Sequence, residues 1–65
     1  MTDQEYVLAM FQRAGVRYEL GGDSEGYSWI SAEAGNGEAN QGYTGFVTQM
    51  EFYPDGRLRS IGAWE

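Results

Sequence analysis

The chain has 65 residues, with ten Asp or Glu against four Arg, no Lys, no His, no Cys and a net charge of −6. One domain, residues 1–65, is all that this length allows. The charge opposes nucleic acid and anionic membrane as main partners. The missing thiols and imidazoles exclude disulfides, nucleophile–histidine catalysis and the usual ligands of transition metals.

Residues 2–5, Thr2-Asp3-Gln4-Glu5, form a capping box: the Thr2 hydroxyl accepts from the residue 5 amide while the Glu5 carboxylate reaches back to the Thr2 amide. Behind it Val7, Leu8, Phe11 and Ala14 recur at helical spacing, and Gly15 stands where a left-handed residue ends a helix. Residues 3–14 are therefore predicted helical. Residues 16–20 alternate, with Val16, Tyr18 and Leu20 on one side, and are predicted as a strand. Residues 21–26 are a turn by composition. Residues 27–34 are the next strand, in which Tyr27 and Trp29 compete with Ile30, Ala32 and Ala34 for the core face. Residues 35–42, GNGEANQG, read as a loop whose glycines and asparagines carry a heavy ordering entropy.

Residues 43–65 read as a β-hairpin. Tyr53-Pro54-Asp55-Gly56-Arg57 supplies a three-residue loop, with Pro54 presetting φ and Gly56 able to take the left-handed bulge position. The register then pairs Tyr53 with Arg57, Phe52 with Leu58, Glu51 with Arg59, and so on to Phe46 with Trp64. Phe46, Met50, Phe52, Leu58 and Trp64 fall on the core face, with Thr48, Ser60 and Gly62 among them. Val47, Gln49, Glu51, Tyr53, Arg57, Arg59, Ile61 and Ala63 fall on the other, and Glu51 opposite Arg59 makes a cross-strand ion pair. Short links between consecutive strands favour antiparallel pairing. The predicted fold is α+β, one N-terminal helix on a four-stranded antiparallel meander.

A domain of this size seldom holds more than about 3–5 kcal/mol of stability without a staple. With disulfides excluded, a homodimer is the expected reinforcement. The polar N-terminus and the short longest apolar run, residues 7–11, predict neither a secretory leader nor a membrane span, hence a cytoplasmic protein.

Candidate chemistry is sparse. Without lysine there is no Ser–Lys pair and no P-loop. Asp23-Ser24-Glu25-Gly26 lacks the length and terminal Glu of a calcium loop, and nothing in the spacing of Glu33 and Glu51 favours acid–base work. No catalytic residue, metal ligand or cofactor is predicted, and the chain is not expected to be an enzyme. The residues pointing to an interaction surface are Trp29, Tyr43, Tyr53, Arg57, Arg59 and Ile61, aromatic, arginine or apolar side chains on the uncovered face or beside the loop. Glu38 in the loop joins them, as an acid that a basic partner surface would meet. Arg57, Arg59 and Tyr53 also offer an anion such as a nucleotide bidentate contacts and a stacking ring.

The segment GYTGFVTQMEFYPDGRLRSIGAWE, with its Asp-Gly hairpin and terminal Gly-Ala-Trp-Glu, resembles small accessory proteins found in bacteriophage genomes, as does the helix running directly into a Val-x-Tyr strand. The resemblance implies an accessory protein acting in the host cytoplasm, of a kind that binds and inhibits host or anti-phage defence proteins; the acidic charge adds the expectation of a basic surface on that target. A nucleotide-signal sponge and a virion-associated structural part are the alternatives.

Overall fold

A computed structural model describes residues 1–35 and 37–64. Asn36 of the glycine-rich loop and Glu65 of the last hairpin lie outside the described residues. The elements in chain order are α1 (Asp3–Ala14), β1 (Glu19–Gly22), β2 (Ser28–Glu33), β3 (Val47–Phe52) and β4 (Leu58–Trp64). The strands form one antiparallel meander in the order β1-β2-β3-β4, with α1 on one face. This is the expected α+β architecture.

The helix begins and ends as its sequence dictates. The Thr2 amide donates to Glu5 Oε1 at 2.9 Å and the Glu5 amide donates to Thr2 Oγ1 at 3.2 Å, closing the capping box. Folding therefore holds the Glu5 carboxyl below its ordinary pKa, first through the Thr2 amide and then through its hydroxyl. The Arg57 amide, followed by its guanidinium, does the same for Asp55. A lowered carboxyl favours the folded state above its ordinary pKa, and that contribution is lost as the pH falls through the folded value. We expect the melting temperature to drop as the pH falls below about 4.3. In a circular-dichroism melt series, Glu5→Gln should flatten part of that drop.

At the other end Gly15, at φ 73°, donates to Gln12 O, and the Val16 amide donates to Phe11 O at 2.9 Å, a Schellman closure. That bond corrects the predicted strand over 16–20. The Val16 amide belongs to the helix end, so β1 starts three residues later and runs through Gly21 and Gly22, which were expected in the turn. Val16 is buried, whereas Leu20 is exposed at the sheet edge.

Ile30, Ala32 and Phe52 are buried on the α1 side, which resolves the competition within β2: Ile30 faces the helix and Trp29 the open face. Gln4 Nε2 donates to Ser28 Oγ at 2.9 Å from the same side. The helix covers the two central strands. It leaves Leu20 on β1 and Leu58 and Ile61 on β4 exposed.

The hairpin loop forms as read. The Tyr53 amide donates to Arg57 O at 2.9 Å and the Gly56 amide to Tyr53 O at 2.9 Å, with Gly56 at φ 89°. Phe52 pairs with Leu58, but Glu51 then pairs with Ser60 instead of Arg59, because a β-bulge inserts one residue into β4. Every later position slips by one and changes face. Val47, not Phe46, pairs with Trp64. Ile61 and Ala63 turn to the helix side, while Ser60, Gly62 and Trp64 turn to the open face. Trp64 is thus no core residue and is 57% exposed. Phe46 precedes β3 and packs instead against Tyr43, ring centroids 6.4 Å apart.

Candidate interaction face

No described helix covers the face opposite α1, and its side chains sort into two ends. At the hairpin-loop end, the pairing of Ser28 with Phe52 places Tyr27 beside Tyr53, ring centroids 6.0 Å apart. The Arg57 guanidinium lies 4.8 Å from the Tyr53 ring centre and the Arg59 guanidinium 4.7 Å from that of Tyr27. Each arginine also holds an acid: Arg57 Nε donates to Asp55 Oδ2 at 2.9 Å, and Arg59 Nη1 to Glu51 Oε2 at 3.2 Å. The bulge keeps Arg59 within reach of Glu51 although the two are not register partners. Cation–π contacts at exposed sites contribute about 0.5–1 kcal/mol each, and ion pairs this exposed to water add little. Their larger effect is to restrict long side chains that a partner would otherwise have to immobilise.

Two tryptophans lie flat on the same face because each covers a glycine. Gly21 is the register partner of Trp29, and a Cβ on Gly21 would overlap the indole. Gly62 lies two residues before Trp64 on β4, and a Cβ there would overlap that ring as well. The glycines of the two strands thus let flat aromatic surface lie against the backbone.

The far end of the face is acidic. Glu19 and Glu33 stand on it with Ser31, Gln49 and Val47. A shallow depression of about 380 Å³ opens there, lined by Arg17, Tyr18, Glu19, Ser31, Glu33 and Val47. Among the described residues, no three His, Cys, Asp or Glu side chains gather as a metal site. No described helix is long and apolar enough to cross a membrane.

Of the residues singled out from sequence, Trp29, Tyr53, Arg57 and Arg59 share the open face. Ile61 does not; the bulge moves it to the helix side, where it is 60% exposed at the edge. Tyr43, 84% exposed, and Glu38 lie in the segment between β2 and β3, beyond the end of the sheet opposite the hairpin loop. There the Asn40 side chain donates to Glu33 O at 2.8 Å and Gln41 to Glu38 O at 3.1 Å. Tyr27 was missed. Its role depends on the β2–β3 register, which a long intervening loop conceals. The glycine–tryptophan pairs were missed too, although a glycine two residues before a tryptophan is visible at 62–64.

The chain matches no protein-family model, no curated protein and no solved structure.

Proposed function

We propose that this chain is a non-catalytic binding protein that occludes a protein partner with its open sheet face. The observation that carries the reading is the cluster of Tyr27, Tyr53, Arg57 and Arg59, held by mutual stacking, with Trp29 against Gly21 on the same face, which no described helix covers. Trp, Tyr and Arg are the residues most enriched at binding hot spots, and rings already fixed lose little entropy on contact. Glu19 and Glu33 at the far end, with Glu38 beyond the sheet, complement a basic partner surface. The likeness of residues 42–65 to bacteriophage accessory proteins supports a host or anti-phage defence protein as the target, met in the host cytoplasm.

The nucleotide-sponge alternative is less favoured by the same geometry. Both guanidiniums already hold a carboxylate, and one face of each tyrosine ring is covered. A nucleotide would have to displace those groups before making its own contacts.

The reading is tested by capturing partners from bacterial lysate on tagged protein, then titrating the purified partner with wild type and with Tyr53→Ala/Arg57→Ala. One stoichiometric partner is expected, with affinity reduced by about 30-fold or more in the variant. Unchanged affinity in a folded variant would sink the open-face assignment.

A further inference from the structure

We propose that β4 pairs antiparallel with β4 of a second copy of this chain, joining two four-stranded sheets into one. The edge of β4 is the starting point. The Tyr53 amide bonds to Arg57 O, so ladder alternation across the bulge turns the main-chain groups of Leu58, Ile61 and Ala63 outward. The Leu58 amide is already taken, donating to Asp3 Oδ2 at 2.7 Å. Among the described residues, none bonds the outward groups of Ile61 and Ala63. Strand edges are ordinarily protected by Lys, Pro or an inward-pointing charge. Leu58–Trp64 has no Lys, no Pro and no charge on the side that faces the helix layer. The other edge, β1, is four residues long and ends in two glycines, a much poorer template.

The flank of this edge is apolar. Asp3 reaches across to Leu58, so the side of α1 that carries Asp3 faces β4. Tyr6 and Met10, three and seven residues further on, lie on that side, and both are exposed together with Leu58 and Ile61. The described chain exposes 4608 Å², against about 4,200 Å² for a compact monomer of its mass.

A second copy suits this edge for reasons of charge and size. Residues 58–64 hold no acid and a single Arg, so two acidic chains meet at their least acidic strand. Pairing centred on Gly62 sets the outward groups of Ile61 against those of the partner's Ala63 and sets Gly62 against its own copy. No two large side chains oppose each other. The two Arg59 side chains are then about 20 Å apart along the strands. The flat edge buries on the order of 1,000 Å² in total, at the small end of specific interfaces, so dissociation in the micromolar range is expected.

Sedimentation over a concentration series, on wild type, Ile61→Lys, Ala63→Pro and Tyr53→Ala/Arg57→Ala, tests the proposal. Wild type is expected to pass from monomer to dimer. Ile61→Lys adds a charge at an already exposed position and should weaken the dimer by about tenfold or more. Ala63→Pro removes an outward donor, not a β3–β4 bond, and should act likewise; if it unfolds, Ile61→Lys carries the test alone. The open-face variant should dimerise as wild type does, which separates this proposal from the binding reading above. A wild type monomeric throughout overturns the proposal, as does a dimer indifferent to Ile61→Lys. A monomer that loses a foreign partner on Ile61→Lys also overturns it, by giving the edge to another protein's strand.

Discussion

Phe52→Ala is expected to leave the chain unfolded at room temperature, without a cooperative melt. Phe52 is fully buried, at 0% exposure, and is the larger of the two side chains at the centre of the sheet; Ile30 is the other. Truncating such a phenylalanine costs about 3–5 kcal/mol in lost burial and residual cavity. A domain of this size holds about 3–5 kcal/mol in all. The loss cannot be shared, since α1 is amphipathic but buries none of its residues completely, and among the described residues only Val16, Ile30 and Ala32 join Phe52 as buried hydrophobic side chains. Phe52→Leu keeps most of the volume and should cost under about 1.5 kcal/mol, preserving the fold. Far-UV circular dichroism and amide dispersion read both. A Phe52→Ala protein melting within a few degrees of wild type would mean that the core is not centred on β3.

The second large effect is expected at Gly56→Ala, and it reaches the helix. Gly56 is buried at φ 89°, where a side chain is strained by about 1–2 kcal/mol. Its Cβ would also stand 2.6 Å from Thr2 Cβ and 2.8 Å from Thr2 Oγ1. The N-cap must move, and losing a cap costs about 1 kcal/mol. The Gln4 amide, which donates to Gly56 O at 3.0 Å, loses its alignment at the same time. A total of about 2–3 kcal/mol follows from these two contributions. Thr2→Gly removes the obstructing Cβ and costs only a few tenths of a kcal/mol by itself. The double variant should therefore recover about 1 kcal/mol of the Gly56→Ala loss. Chemical denaturation of the four proteins measures this, and strictly additive costs would show that turn and cap do not touch.

Local signals carried far along this chain, and they failed where one residue changed the count. The capping box, Gly15 and the Tyr53–Arg57 loop each rest on residues within a few positions of one another, and each is present as read. The faces of β4 were not legible because one inserted residue exchanges them, and residues 58–64 alternate plausibly in either phase. Small Ser60 and Gly62 fit a core face as well as apolar Ile61 and Ala63 do. The late start of β1 follows from the Val16 amide bonding backward to Phe11, a choice that alternation of side chains does not record. For the interaction face, Tyr53 and Arg57 were legible because the turn joins them. Tyr27 was not, because its contact with Tyr53 crosses a long loop. The placement of Ile61 failed with the bulge.

The Asp3–Leu58 hydrogen bond spans 55 positions of sequence, and the neighbouring Gln4–Gly56 bond ties the same two segments. During synthesis, the start of α1 thus precedes its two bonds to the hairpin segment by more than fifty residues. Until residues 56–58 exist, the start of the helix has only its own cap and the Gln4–Ser28 bond, and isolated helices of about a dozen residues are marginal in water. Closing so distant a contact also carries its loop entropy before any packing offsets it. The β3–β4 hairpin thus acts as a late latch on the start of α1.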